Sequence, residues 1–178
     1  MKITHSKLKD CVIIEPRVFG DDRGFFLETF QAVRYKQEVG IDLSFVEDNH
    51  SRSARGVLRG LHFQKTKPQG KLVRVVSGEV YDIALDMRKG SATFGEWEGV
   101  ILSGDNKKQM WVPPGFAHGF VALSATADFE YKCTDYYDPS DEGCILWSDP
   151  DLDISWPIAN PVLSTKDKNA KRLVDLRL

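Results

Sequence analysis

Long apolar runs, a basic surplus and paired cysteines are all missing from this chain. No stretch approaches the roughly 20 apolar residues that a membrane-spanning helix needs, and the opening MKITHSKLKD lacks the apolar core of a secretory signal. Lysine plus arginine number 24 against 26 aspartate plus glutamate, well mixed along the chain, for a net charge of −2. That balance argues against nucleic acid as a partner, which calls for a strongly basic patch. The three cysteines, Cys11, Cys133 and Cys144, are odd in number and widely spaced, with no C-x-x-C. Such a set fits reduced thiols better than a disulfide framework. Internal repeats, linkers and low-complexity tracts are absent too. The expectation is one soluble, cytoplasmic domain over residues 1–178, long enough to bury a core, with neither membrane nor nucleic acid as partner.

What is present is a succession of short apolar segments between turn signals. Val12 to Ile14 predicts a strand, Gly20 to Gly24 a turn and Phe25 to Phe30 a second strand. Residues 31–40 predict a short helix with Val33, Tyr35 and Val39 on one side and Gly40 as its C-cap, whereas Phe45 to Ser53 is polar after its first two residues. From Val80 to Met87 the chain alternates, with Tyr81, Ile83, Leu85 and Met87 set against Asp82, Ala84 and Asp86. Further strands are expected around Trp97–Ile101, Met110–Val112, Phe120–Leu123 and Phe129–Tyr136. Turns about every ten residues, with only brief helical pieces, indicate an antiparallel β-sandwich or barrel. The last third changes character. An acidic loop from Asp149 to Pro157, anchored by Trp156, leads to a short helix capped by Ser164, with Ala170, Leu173 and Val174 as its apolar face.

Residues 54–82, ARGVLRGLHFQKTKPQGKLVRVVSGEVYD, hold the densest chemistry. Val57 to His62 and Lys71 to Val76 read as strands bracketed by glycine. Strict alternation would put Arg59 and His62 on opposite faces; a glycine kink would let them share one cavity. A histidine between an arginine and a lysine has its cationic form disfavoured and can accept a proton near neutrality. Arg59 offers a planar fork suited to phosphate, and Lys71 a point charge for a developing oxyanion. An ordinary strand with surface charges and one satisfied histidine accounts for the same letters. Taken alone, Arg23 reads as a solvated turn charge, Tyr131 as a core aromatic and Asp167 as the acidic member of a capping box.

Val112 to Phe120, VPPGFAHGF, fits the P-x-G-x-x-H motif of the cupin jelly rolls, whose prolines and glycine aim the histidine, here His118, into the barrel. The companion H-x-H reads His62-Phe63-Gln64. With that pair missing, His50, His62 and His118 make a poor metal set.

From about Cys11 to Leu176 the chain resembles the dTDP-4-dehydrorhamnose 3,5-epimerases. The residues carrying this are EPRVFGDDRGFFLETF (15–30), DNHSRS (48–53), GVLRGLHFQ (56–64), QGKLVRVVSGEVYD (69–82), VPPGFAHGF (112–120), YKCTDYYDP (131–139) and STKD (164–167). The resemblance implies a metal-free, cofactor-free jelly-roll homodimer that inverts C3 and C5 of dTDP-4-dehydro-6-deoxyglucose, with an extension from about 149 to 178 completing the active site. It makes His62 the base, Tyr131 the acid on the opposite face, Asp167 the carboxylate that orients His62, and Lys71 the group at the ketone oxygen. Arg59, His118 and Lys166 become polar substrate contacts; Arg23, Glu28, Asn49 and Glu142 further nucleotide-sugar contacts; and Tyr137 the ring that stacks on thymine. Glu47 departs from the family's usual glutamine, and a carboxylate there suits a nucleotide hydroxyl better than a phosphate. A relative that inverts only one centre or moves the ketone, a metal-dependent cupin and a non-catalytic sugar-binding jelly roll are the competing readings.

Overall fold

The computed structural model describes residues 1–176; Arg177 and Leu178, the end of the expected extension, lie outside the described residues. The chain is mainly antiparallel β. Its strands are β1 (Lys2–His5), β2 (Val12–Glu15), β3 (Val18–Asp21), β4 (Gly24–Leu27), β5 (Glu47–Ala54), β6 (Leu58–Gln64), β7 (Lys71–Ser77), β8 (Glu79–Asp86), β9 (Trp97–Ser103), β10 (Gln109–Val112), β11 (Phe116–Ala122), β12 (Thr126–Cys133) and β13 (Glu142–Cys144). Two short α-helical turns, α1 (Ala32–Arg34) and α2 (Thr165–Lys168), accompany them. One sheet runs β1-β2-β10-β7-β12-β5, the other β13-β6-β11-β8-β9, and β3-β4 stands apart as a hairpin. The two large sheets close on each other as a jelly-roll sandwich.

Three apolar layers fix this arrangement. Between the sheets, Val73, Val75, Met110 and Phe129 meet Val80, Ala84, Leu102, Phe116 and Phe120, all buried. Phe120 and Phe129 stack across the gap with ring centroids 4.2 Å apart. Outside the first sheet, Tyr35 and Ile41 pack with Ile14, Leu72 and Trp111. Outside the second, the segment after Cys144 lays Ile145, Leu152, Trp156 and Leu173 over Leu61, Phe63, Ile83 and Leu85. Fully burying a side chain of this size contributes about 1.5–3 kcal/mol, so the covered outer face stabilises the fold as the inner one does. The alternation in β8 therefore has the opposite sense from a simple sandwich. Tyr81, Ile83 and Leu85 face the C-terminal cover, while Asp82 and Ala84 face the interior.

Several boundaries differ from the sequence reading. The polar stretch before residue 54 is strand β5, because its polar side chains line a cleft on one face and solvent on the other. The expected turn at 20–24 begins two residues later, since β3 runs to Asp21, and β4 ends at Leu27 rather than at residue 30. The helix at 31–40 is one α-turn followed by a π-turn, Tyr35–Val39, with Gly40 left-handed at φ 85° as its cap. Val33, in the α-turn, faces solvent while Tyr35, two residues on and nearly opposite it around the helix, is fully buried, so the expected apolar side is not shared. The C-terminal helix stops at Lys168, and Leu173–Asp175 is a separate 3-10 turn that leaves Val174 exposed.

Candidate active site

The cleft opens between the two sheets at the end where β5, β6, β7, β11 and β12 converge. Strand alternation delivers most of its lining. On β12, Tyr131 and Cys133 point inward, and Glu130 and Lys132 outward; on β5, Glu47 and Asn49 point in, and Asp48 and His50 out. His118 enters from β11, which the P-x-G-x-x-H turn precedes.

Arg59 and His62 need a different device. His62 pairs with His118 and Arg59 with Phe120, so three steps along β6 match two along β11. One extra residue is accommodated, the side-chain phase flips, and both side chains line the same cavity. Two glycines make this possible. Gly60 has φ 125°, and a Cβ on it would lie 2.6 Å from the Gly119 Cα. The backbones of β6 and β11 are pressed together where neither residue carries a side chain.

One lobe of the cleft, about 610 Å³, is lined by Arg59, His62, Lys71, His118, Tyr131 and Lys166, among others. A second lobe of about 510 Å³ has Glu47, Asn49, Tyr137 and Glu142 and shares His62, Lys71 and Tyr131 with the first. These volumes suit a ligand of nucleotide-sugar dimensions. His62 and Tyr131 stand on facing sheets, one on each side of the place where the lobes join.

His62 Nε2 lies 2.6 Å from Asp167 Oδ1. The Asp167 backbone N–H donates to the Ser164 hydroxyl at 3.1 Å, so the expected N-cap is present. The Asp167 carboxylate, however, turns to the histidine instead of back to its own helix. Burial pushes the Asp167 carboxyl up, but hydrogen bonds from His62, Ser164 and Cys144 outweigh it and hold the group below the usual carboxylate range. The second His62 nitrogen, Nδ1, is 4.0 Å from Glu142 Oε1. The charges beside this ring are therefore carboxylates, not the arginine and lysine that flank it in the sequence. Burial lowers the Lys71 ammonium below the ordinary lysine range, against the opposing pull of Cys133, Glu142, Asp82 and Glu47. Burial raises the Tyr131 phenol to about 12, which keeps it a proton donor.

The neighbouring polar groups form a braced wall. Glu142 accepts from Lys166 Nζ at 2.8 Å and from the Tyr137 hydroxyl at 3.1 Å. Glu47 accepts from Asn49 at 2.7 Å and from the Tyr137 backbone N–H at 2.9 Å, so its carboxylate ties the Tyr137 loop to β5. Arg59 donates to the Ser53 hydroxyl at 3.0 Å. Gln64, at the position of a missing metal-ligand histidine, donates to the carbonyls of Lys67 and Tyr136 and accepts from the Asp138 N–H. It is a loop brace. Of the three histidines weighed as a metal set, His50 lies apart from the cleft, while His62 and His118 are cross-strand neighbours within it. Each is engaged by its own carboxylate, His50 by Asp128, His62 by Asp167 and His118 by Asp82.

Two residues are not brought to this cleft. Arg23 sits at the tip of the β3-β4 hairpin, its side chain 89 % exposed and paired with Asp21. Glu28 pairs with Arg34 at 2.8 Å. Two others escaped the sequence reading. Asp82, wholly buried, holds His118 Nε2 through both oxygens at 2.9 and 3.0 Å; its signal was a carboxylate inside an apolar strand. Cys144, opposite His62 on the neighbouring strand, donates its thiol to Asp167 Oδ1 at 3.5 Å, and no local pattern announced it.

The chain matches one family model and is similar to several known proteins. A family model described as dTDP-4-dehydrorhamnose 3,5-epimerase matches residues 5–175. The dTDP-4-dehydrorhamnose 3,5-epimerase of Pseudomonas aeruginosa is 56% identical over 176 residues, spanning 98% of this chain and 97% of its own length. That of Methanothermobacter thermautotrophicus is 52% identical over 171 residues, spanning 94% and 92%. The crystal structure of a Legionella pneumophila dTDP-6-deoxy-D-glucose-3,5-epimerase, in complex with dTDP-4-keto-L-rhamnose, superposes with a TM-score of 0.96 at 56% identity, covering 98% of this chain and 94% of that one.

Proposed function

The chain belongs to the dTDP-4-dehydrorhamnose 3,5-epimerase family, and from that premise we propose how its own residues divide the reaction. The enzyme is an isomerase that inverts C3 and C5 of dTDP-4-dehydro-6-deoxyglucose, giving dTDP-4-dehydrorhamnose for dTDP-rhamnose biosynthesis. Protons at both centres lie beside the C4 ketone, so removing either one leaves an enolate with its charge on O4. His62 is the base. Its Nε2–H is engaged by Asp167, which leaves Nδ1 as the nitrogen with a free lone pair. Lys71 stabilises O4, a role whose loss typically costs about 10²–10³-fold in rate. Tyr131 returns the proton on the other face, and such general acid–base help is worth about 10²–10⁴-fold.

The observation that carries this reading is that His62 and Tyr131 face each other from opposite sheets across one cleft. Inversion requires removal on one side of the ring and return on the other. Around them, Arg59, His118 and Lys166 contact the sugar and diphosphate. Asn49, Glu142 and the exposed ring of Tyr137 hold the nucleoside, and Glu47 contributes by fixing the Tyr137 loop. The extension beyond residue 149 belongs to the same functional domain, since it supplies Lys166 and Asp167. Turnover needs no redox cofactor, because the C4 ketone itself takes up the enolate charge. Gln64, at the position of a metal-ligand histidine, is committed to bracing its loop and offers no metal ligand.

The working form is a homodimer. The β3-β4 hairpin exposes Phe19, Phe25 and Phe26 at 50%, 58% and 68%, and a lone hairpin needs a partner surface to be stable. A second copy supplies that surface and carries Arg23 and Glu28 into the neighbour's cleft. Free thiols at Cys11, Cys133 and Cys144 support a reducing, cytoplasmic setting.

The decisive experiment is product NMR after incubation with dTDP-4-dehydro-6-deoxyglucose in heavy water. Inversion with deuterium at both C3 and C5 is expected. Inversion at one centre only, or a migrated ketone, would overturn the reading.

A further inference from the structure

We propose that His62, Cys144 and Asp167 form an inhibitory zinc site, so that a divalent zinc ion switches the enzyme off by binding its catalytic dyad. The His62 nitrogen, the Cys144 sulfur and an Asp167 oxygen all lie within 4.8 Å of one another. They come from three separately placed elements: β6, its neighbour β13, and α2. Tetrahedral zinc bonds of about 2.0–2.3 Å set ligand atoms roughly 3.3–3.8 Å apart. The Cys144 Sγ to Asp167 Oδ1 separation of 3.5 Å already meets that spacing. The His62–Asp167 contact of 2.6 Å needs to open by less than about 1 Å. Nitrogen, sulfur and carboxylate oxygen together select zinc over magnesium or calcium, which take oxygen alone. Asp167 is buried while His62 and Cys144 are only partly covered, and a water would complete the tetrahedron.

The protons balance simply. Zinc takes Nε2 in place of the hydrogen bond to Asp167, and the ring proton moves to Nδ1. The Cys144 thiol releases one proton to solvent, so one thiolate and one carboxylate match the two positive charges of the ion. Nδ1–H then points at Glu142, whose oxygen is 4.0 Å away. An imidazole bound to metal and backed by a carboxylate is the stable arrangement of such ligands. The consequence for catalysis is direct: the nitrogen that must accept a proton from the sugar already holds one. Zinc thus locks His62 in the non-productive tautomer.

The catalytic consequence rests on the dyad role given to His62 and Asp167, whereas binding does not, and the test separates the two. Metal-free protein is titrated with zinc chloride by calorimetry, with cobalt(II) chloride by absorbance, and with both in the epimerase assay, each rate being normalised to that protein's own rate in chelator. Wild type is expected to bind one zinc, to lose activity in step with occupancy, and to show a sulfur-to-cobalt charge-transfer band. Magnesium should not inhibit. Cys144→Ser should lose the band, bind zinc at least about 100-fold more weakly, beyond the 10–100-fold cost of losing an outer partner, and resist zinc inhibition by the same factor. Equal zinc affinity in the two proteins, or no cobalt–sulfur band in wild type, overturns the site. A chelated wild type with no epimerase activity would instead overturn the function, while the cobalt band would still decide the site.

Discussion

At the scale of single residues, the chemistry divides between groups that move protons and groups that set their states. On the proposed assignment, Tyr131→Phe removes only the donor on the far side of the ring. His62 and Lys71 still form the enolate, and His62 returns a proton to the face it came from after exchange with solvent. In heavy water this variant should incorporate deuterium while the sugar keeps its configuration, and His62→Ala should do neither. Mass spectrometry for deuterium and NMR for configuration read the two outcomes, and near-normal inversion by Tyr131→Phe would return Tyr131 to a packing role. Lys71 gives a pH prediction. Burial disfavours its charged form and lowers its pKa, so the cation is lost as pH rises through a value below the usual lysine figure of about 10.4. The alkaline limb of kcat/KM should therefore lie below that figure. Tyr131, at about 12, titrates too high to account for it. Lys71→Arg should lower the rate and shift the limb upward, because a guanidinium stays charged; a limb that does not move would acquit Lys71.

At the scale of elements, the site depends on the irregularity of β6. A regular strand would send Arg59 outward and His62 inward. The extra residue at Gly60, seated against Gly119, makes them neighbours. Gly60→Ala would require a side chain at φ 125° and a Cβ 2.6 Å from the facing backbone. Backbone strain and overpacking of this kind each cost about 1–3 kcal/mol. A loss of roughly 2–6 kcal/mol in denaturant unfolding is expected, with activity falling along with it as Arg59 leaves the cleft. An unchanged unfolding midpoint would mean the two strands can part without penalty. The same scale explains the double use of the 164–167 turn: Ser164 caps it through the backbone, which frees the Asp167 side chain to reach His62 from another part of the chain.

At the scale of the whole molecule, the question is where Arg23 and Glu28 act. They sit on or beside a hairpin whose apolar side chains face solvent in the single chain. If the neighbour's hairpin completes each cleft, two inactive proteins can rescue each other. Arg23→Ala and His62→Ala homodimers, mixed and allowed to exchange, should regain about a quarter of wild-type activity, because half of the dimers are mixed and each holds one complete site. Phe25→Asp with Phe26→Asp should sediment as a monomer. Wild type that sediments as a monomer, or mixtures that recover nothing, would rule out a cleft completed by the neighbour's hairpin, and an Arg23→Ala homodimer that is fully active by itself would place Arg23 outside the reaction.

The sequence by itself determined the strand-rich architecture, because period-two alternation and turn residues are local properties written within a few positions. It also singled out His62, Lys71 and His118 as candidates from contiguous motifs, and Tyr131 only through the family resemblance; all four line one cleft. What only the tertiary structure decided depends on contacts between distant segments. The choice for Asp167 between helix cap and histidine partner rests on a hydrogen bond to a residue 105 positions away. Cys144 meets the dyad only because β13 pairs with β6, and Asp82 meets His118 only because β8 pairs with β11. Whether Arg59 and His62 share a face turned on one extra residue in β6, which alternation alone leaves undetermined. Local pattern fixes which way a side chain points along its own strand; what it meets there is set by the packing of the other sheet and of the C-terminal segment that folds back over the barrel.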